Sequence, residues 1–223
     1  MTSQGVQAGE TRVGLEMRAD QYNVIVLIEQ WIRAKYQREE FCHPERQTYI
    51  QGYMEGFLMK RGKEDSRYHA RKFILSEAED TLKYHIKEKK EPKAVIRLSE
   101  LNVAFTPEKT NIPNSLQLSF LKDGSTRHIY IYHQDAEVII NWYMAIRCAK
   151  LHRLQIAYPA VSESELIDHL TKDFAREGWL WKTGPHSYDG YKKRWFSLDH
   201  RKLIVDEDVA VCGEVTDADI IPG

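Results

Sequence analysis

Six cations crowd one short stretch of this sequence: Lys60, Arg61, Lys63, Arg67, Arg71 and Lys72. Held close together they repel one another unless solvent or an anion neutralises them. An arginine grips a phosphate through two parallel N–H donors, whereas a lysine acts as a point charge. The chemistry such a set performs is capture of an anion.

The elements that must position these cations are short strands. Phe57, Leu58 and Met59 read as an apolar strand, and Lys60-Arg61-Gly62-Lys63 turns the chain. Lys72-Phe73-Ile74-Leu75 brings it back, and Thr81-Leu82-Lys83-Tyr84 opens a third strand. In a strand, neighbouring side chains point to opposite faces. Arg71 therefore shares a face with Phe73 while Lys72 points away, so only one of these two cations looks into a pocket mouth.

Further strands follow at even spacing. Lys87 to Lys93 is a charged turn, Ala94–Leu98 a fourth strand and Leu101–Phe105 a fifth. Leu116–Leu121 and His128–Tyr132 are two more, joined through an Asp-Gly turn at Asp123-Gly124. Seven short strands suggest a barrel or sandwich. A helix then closes it, with Asp135 as its N-cap and Val138, Trp142, Ala145 and Ala149 on one face. Trp142 reads as its main buried wedge, a core residue without a binding role.

On either side of this body the pattern changes. Residues 1–20 are polar without a period and read as disordered. From Gln21, Val24, Leu27, Ile28, Trp31 and Ala34 fall at helical spacing, an apolar stripe that needs a partner. Phe41–Gly52 reads as a linker broken by Pro44. After Pro159 a short helix carries Ser162 and Glu165 as a capping box, with Leu166, Leu170 and Phe174 on one face.

Composition narrows the partners. The 223 residues are 42% hydrophobic and 29% charged, ordinary globular values. Over residues 57–93, 11 Lys and Arg face 7 Asp and Glu, a local +4 within a chain of net charge −1. A local patch, not bulk charge, would have to bind an anion, and nucleic acid is not an expected partner. Cys42, Cys148 and Cys212 are sparse and far apart, which fits a reducing compartment. No catalytic set, cofactor site or metal site is read from these residues, and the pair Cys42-His43 has no matching second pair. The longest aliphatic run, Val24–Ile28, is far short of a membrane span, and no signal peptide is recognisable. A cytoplasmic protein with peripheral membrane contact is expected.

The strongest internal signal is a repeat. Gly56-Phe57-Leu58-Met59-Lys60-Arg61-Gly62 returns 122 residues later as Gly178-Trp179-Leu180-Trp181-Lys182-Thr183-Gly184, and Arg71-Lys72-Phe73 returns as Arg194-Trp195-Phe196. The second copy is short: an acidic tail begins at Asp206 and carries no Lys or Arg. A piece of two or three strands is marginal alone.

The hairpin with its Lys and Arg-x-Phe, the charged turn and the closing helix with its Trp together resemble a pleckstrin homology (PH) domain. Tandem copies preceded by Glu29–Phe41 (EQWIRAKYQREEF) resemble the dual-PH-domain Arf GTPase-activating proteins, the centaurin-alpha family, over residues 21–202. The resemblance implies a mainly β fold: a PH-like seven-stranded barrel capped by a C-terminal helix, plus an N-terminal helix and an incomplete second hairpin unit. It divides the chain into a disordered terminus (1–20), the last helix of an Arf-GAP domain with its linker (21–52), a first PH domain (53–155), a helical linker (156–177) and a truncated second PH domain with an acidic tail (178–223). It also implies the ligand, a phosphoinositide such as phosphatidylinositol 3,4,5-trisphosphate or a related inositol phosphate. Lys60 and Arg71 would form the centre of the site, Tyr84 would hydrogen-bond a phosphate, and Lys63 and Lys93 would assist. Lys182, Lys192 and Arg194 are the second-copy candidates. His69 stands where the family often has a basic residue, a position the second copy fills with Lys192.

The four-cysteine zinc motif and catalytic arginine of that family are absent from this sequence, as in a splice product or an imperfect gene model. A zinc site needs its thiolates and GTPase activation its arginine, so no GTPase-activating activity is expected. The expected role is recruitment from the cytoplasm to the plasma membrane. Two other readings stay open: a regulator that still activates an Arf-type GTPase, and a peptide-binding scaffold of the same superfold.

Overall fold

Strand alternation, carried through one antiparallel sheet, builds the body of this protein. The computed structural model describes residues 21–63, 65–86, 90–122, 125–167, 170, 176–184, 186, 188–198 and 203–206. Residues 1–20, expected to be disordered, and the acidic tail beyond Asp206 lie outside these, as do Lys87–Lys89 of the charged turn, Phe174 and Cys212. The chain divides into two compact units, Met1–Lys172 and Asp173–Gly223.

In the first unit seven strands run β1 (Tyr53–Arg61), β2 (Tyr68–Ser76), β3 (Thr81–His85), β4 (Ala94–Arg97), β5 (Asn102–Phe105), β6 (Ser115–Lys122) and β7 (Ser125–Tyr132). They pair in the order β4-β3-β2-β1-β7-β6-β5, every pair antiparallel. The strands expected from sequence are all present, most of them longer at one or both ends. Lys122 pairs with Ser125, as a two-residue hairpin requires, while Asp123 and Gly124 lie outside the described residues. Alternate residues face inward: Leu58, Phe73, Leu75, Leu82, Leu116, Leu118 and Ile131 are all 1% exposed or less.

One long helix closes this sheet. α1 is Gln21–Ile32 and α2 the single turn Pro107–Thr110; α3 follows β7 and spans Ala136–Ala157. Asp135 caps α3, its side chain accepting the Glu137 N–H at 2.9 Å. The inward face of α3 carries Ile139, Trp142, Ile146 and Ala149, all buried. Trp142 meets Phe73 edge to face at 6.2 Å, which makes it the wedge its spacing predicts. α3 starts where β7 ends, so it covers the end of the sheet away from the β1–β2, β3–β4 and β6–β7 turns. Those turns surround the other end.

The N-terminal helix departs from expectation. Leu27 and Ala34 are buried, but Ile28 and Trp31 from the same predicted stripe are 49% and 37% exposed. What receives α1 is a narrow polar seam. Arg38, beyond the π-helical turn Arg33–Gln37, donates to Glu40, to Glu137 Oε2 on α3 at 3.3 Å and to the Gln30 carbonyl at 3.4 Å. Tyr49 donates to Glu40 Oε2 at 3.3 Å and packs against the core, so the stretch read as a linker is pinned to the first unit. Burial, then the Glu40 carboxylate, raises the Tyr49 phenol well above the usual tyrosine range. After α3, α4 (Glu163–Ile167) and Leu170 set Leu166 and Leu170 against Leu151.

The second unit holds β8 (Arg176–Lys182), β9 (Lys192–Leu198) and β10 (Leu203–Asp206) in the order β10-β9-β8. Trp179 and Trp195 meet edge to face at 5.3 Å. Among the described residues no helix is long and apolar enough to cross a membrane.

If Trp142 is the wedge that joins α3 to the sheet, Trp142→Ala lowers the unfolding free energy by about 3–5 kcal/mol. Urea denaturation followed by far-UV circular dichroism reads this, against a wild-type-like midpoint for a substitution at exposed Ile156.

Candidate anion-binding site

The site follows from register. Leu58 pairs with Arg71 and Lys60 with His69, while Phe73 pairs with Tyr84. Paired residues share a face, and residues two apart along a strand share it too. Lys60, His69, Arg71 and Tyr84 therefore line the same inward face as Leu58, Phe73 and Leu82, one step nearer the open end. The apolar floor beneath them holds the strands in place. The rim above them is polar.

Contacts agree with this placement. Lys60 Nζ lies 5.2 Å from the centre of the Tyr84 ring and donates to the Arg61 carbonyl at 2.9 Å. Arg71 Nη1 donates to the Ala70 carbonyl at 2.7 Å. Burial, with the Arg71 guanidinium beside it, holds the Lys60 ammonium below the usual lysine range. Burial raises the Tyr84 phenol, with Arg71 opposing, so the hydroxyl keeps its proton as a donor.

The outward cations of the same strands contrast sharply. Lys72 pairs with Glu55 at 3.4 Å, and Lys83 pairs with Glu79. Arg61 lies over the Tyr130 ring at 5.9 Å. Among the described residues neither Lys60 nor Arg71 has a carboxylate partner. Two partly buried cations thus lie on one face of the hairpin, Lys60 lowered in part by the Arg71 charge, with no carboxylate partner among the described residues.

Of the residues picked out by sequence, the structure brings Lys60, Arg71 and Tyr84 together. Lys63 is exposed on the β1–β2 turn. Lys93 is exposed at the start of β4, where its backbone N–H donates to the Tyr84 carbonyl at 2.9 Å. These two stand at the same end of the sheet as the central three, without a side-chain contact to them.

Sequence reasoning missed Asp65. Its Oδ1 accepts the Arg67 N–H at 3.1 Å and its Oδ2 meets His69 Nε2 at 2.9 Å, so it folds the turn and turns His69 toward the loop. The His69 bond above all lowers the Asp65 carboxyl. A Cβ on Gly62 would overlap the Asp65 carboxylate and lie 3.3 Å from the Arg67 carbonyl oxygen, so a side chain there requires Asp65 to move. Gly184 and Asp189 repeat that close approach in the second unit, at a longer spacing that aligning the two copies does not disclose.

The second unit repeats the register as well. Leu180 pairs with Arg194 and Lys182 with Lys192, and Arg194 Nη1 donates to the Lys193 carbonyl at 3.0 Å. Val205 pairs with Phe196, the register position that Tyr84 takes opposite Phe73. The two hairpins share their cations, and only the first pairs them with a tyrosine.

The PH-domain family matches residues 52–150. The chain is 45% identical over 183 residues to human Arf-GAP with dual PH domain-containing protein 2, covering 81% of this chain and 48% of that protein. It thus spans about half the length of the curated relatives it matches. Among solved structures it is similar to the PH domain of human oxysterol binding protein-related protein 11, with TM-score 0.38 and 18% identity over 47% of this chain and 85% of that one. It is also similar to the C-terminal PH domain of pleckstrin in complex with D-myo-Ins(1,2,3,4,5)P5, with TM-score 0.35 and 23% identity over 43% of this chain and 95% of that one.

A lysine whose folded-state pKa is lowered destabilises the fold while it is charged, and the penalty is relieved as pH rises past that pKa. At neutral pH, Lys60→Met is therefore expected to raise the melting temperature of the ligand-free protein while weakening anion binding. Thermal denaturation with and without soluble inositol phosphate reads both. A melting temperature that falls without ligand contradicts the assignment.

Proposed function

We propose that residues 52–150 of this chain, a PH domain in a relative of the dual-PH-domain Arf-GAP proteins, bind polyphosphorylated inositol headgroups and bring the chain to the membrane surface that displays them. The observation that carries this reading is the pair Lys60 and Arg71. They share the core-side face of one hairpin without a carboxylate partner among the described residues, while Lys72 and Lys83 on the outer face are paired.

In this reading Arg71 leaves the Ala70 carbonyl and grips one phosphate through two N–H donors. Lys60 leaves the Arg61 carbonyl and adds a point charge, and the Tyr84 hydroxyl donates to a phosphate oxygen. Lys63 and Lys93 add positive field at the rim, where each basic group near an anionic leaflet contributes about 1 kcal/mol. The preferred lipid is a 3-phosphorylated one such as phosphatidylinositol 3,4,5-trisphosphate, which would take the chain from the cytoplasm to the plasma membrane. The soluble inositol phosphate presents the same chemistry.

The role in this reading is placement, with no catalysis of its own. Single-turnover GTP hydrolysis by an Arf-type GTPase is expected to stay at its intrinsic rate when this chain is added, and acceleration would overturn that part.

The lipid site is tested by sedimentation with vesicles containing phosphatidylinositol 3,4,5-trisphosphate. Loss of a charge-assisted bidentate contact predicts about a 10- to 100-fold weaker affinity for Arg71→Ala. Lys72→Ala, on the outer face, changes it little. Equal binding by wild type and Arg71→Ala would remove the site.

A further inference from the structure

Strand β1 is paired along its whole length on one side only. Nine of its residues pair with β2, but only Met59 and Lys60 pair with β7, which ends at Tyr132 and gives way to α3. An antiparallel strand turns the N–H and C=O of successive residues to opposite edges. The Glu77 N–H donates to the Gly52 carbonyl at 2.7 Å, and the Gly62 N–H to the Arg67 carbonyl at 2.6 Å. These two bonds, at either end of the β1–β2 register, assign the even-numbered residues of β1 to β2. Tyr53, Glu55 and Phe57 therefore turn their backbone groups to the other edge, where no described strand pairs with them. Beside that edge the Tyr53 and Phe57 rings are 53% and 55% exposed. An open edge of this kind is a template for another strand.

The edge looks into a cleft. It encloses about 600 Å³, with Tyr53–Phe57 on one side and His133, Val138, Asn141 and Trp142 on the other. Gly56 puts no side chain into it, and a Cβ there would lie 3.7 Å from the Trp142 ring. Because α3 forms the far wall, a strand added here has no room for a further strand beyond it. A second copy of β1 is thereby excluded, since its own β2 would follow it into the helix. Charge narrows the occupant further. Among the described residues that line the cleft, Glu55 is the one carboxylate and none is a lysine or arginine.

We infer that the open edge of β1 receives an extended peptide segment of a partner protein, added as a strand beside Tyr53, Glu55 and Phe57. Main-chain hydrogen bonds to these three residues hold it, and alternate side chains select it. The peptide residue opposite Gly56 turns inward against Val138 and Trp142 and is apolar. Those opposite Tyr53 and Phe57 turn outward onto exposed rings, where aromatic and β-branched partners suit best. Glu55, although paired with Lys72 at 3.4 Å, disfavours an acid across from it. The occupant is a neutral or basic segment of extended, largely apolar residues. This goes beyond the inositol-phosphate reading and uses none of Lys60, Arg71 and Tyr84, so either can fail alone.

The test selects binders of the full chain from a phage library of random peptides about eight residues long, roughly the length of a strand. Enriched sequences are expected to carry an apolar centre without Asp or Glu. A synthetic peptide of the enriched sequence, added to the wild type, slows amide hydrogen exchange at Glu55 and Phe57. The amides of Met54 and Gly56, already bonded to β2, exchange as before. Two variants then close the cleft from opposite sides. Glu55→Pro removes an N–H that β2 does not use, and Asn141→Arg fills the cleft from α3. Each weakens the peptide about tenfold or more, as the loss of one or two main-chain hydrogen bonds predicts. Both keep the wild-type affinity for soluble inositol 1,3,4,5-tetrakisphosphate, measured by calorimetry. The exchange measurement needs no variant, so it decides the matter even if a substitution unfolds the domain. A library that yields no binder overturns the inference. So do acidic binders, binders that hold both variants as tightly as wild type, and binders that leave the Glu55 and Phe57 amides exchanging as in the free protein.

Discussion

Repulsion between two cations on one face of a hairpin is the constraint on which the rest of this structure depends. Lys60 and Arg71 are held on the side of β1 and β2 that also buries Leu58 and Phe73. Burial and mutual repulsion both disfavour this, as the lowered Lys60 ammonium records. A flexible loop would relieve the strain by letting the side chains part. Here nine consecutive β1–β2 pairs fix the backbone positions from which both side chains start.

That register in turn needs a core able to fix it. Phe73 is the junction: it lies 1% exposed between Tyr84 at 5.5 Å and Trp142 at 6.2 Å. Its neighbour two residues away is Arg71. The same aromatic contact thus ties the closing helix to the floor of the site and sets the tyrosine beside the cations. Stability concentrated beneath the site offsets the unfavourable electrostatics at its mouth. The rest of the helix supports this frame, with Arg153 meeting Asp80 at 3.1 Å in the β2–β3 turn.

Much of this was legible in the residues because period-2 alternation is a strong local signal. It separated Arg71 from Lys72, and the ion pair between Lys72 and Glu55 shows why the separation matters. The repeat was legible too, since Gly, Lys and Arg-x-Phe recur at nearly constant offset. What escaped depends on contacts distant in sequence. Helical spacing placed Ile28 and Trp31 on the buried stripe of α1, yet the receiving surface is a polar seam made by Arg38, Glu40 and Glu137. Nothing in a 3.6-residue period reports the width of the partner surface. Asp65 escaped because an acid among six cations reads as charge balance, whereas its use is to fold the turn.

The two hairpins also show how one local pattern diverges when its surroundings change. Both keep the Lys and the Arg in the same register, and both close their turns with a Gly against an Asp. In the first, five more strands and α3 complete a floor, and a tyrosine stands at the register position beside the cations. In the second, three strands are described, that position is a valine, and the aromatics sit at the tip instead. One pair of cations is thus held over an apolar floor and its counterpart on a sheet of three described strands, so what separates the copies is the completion of the core and not the hairpin pattern.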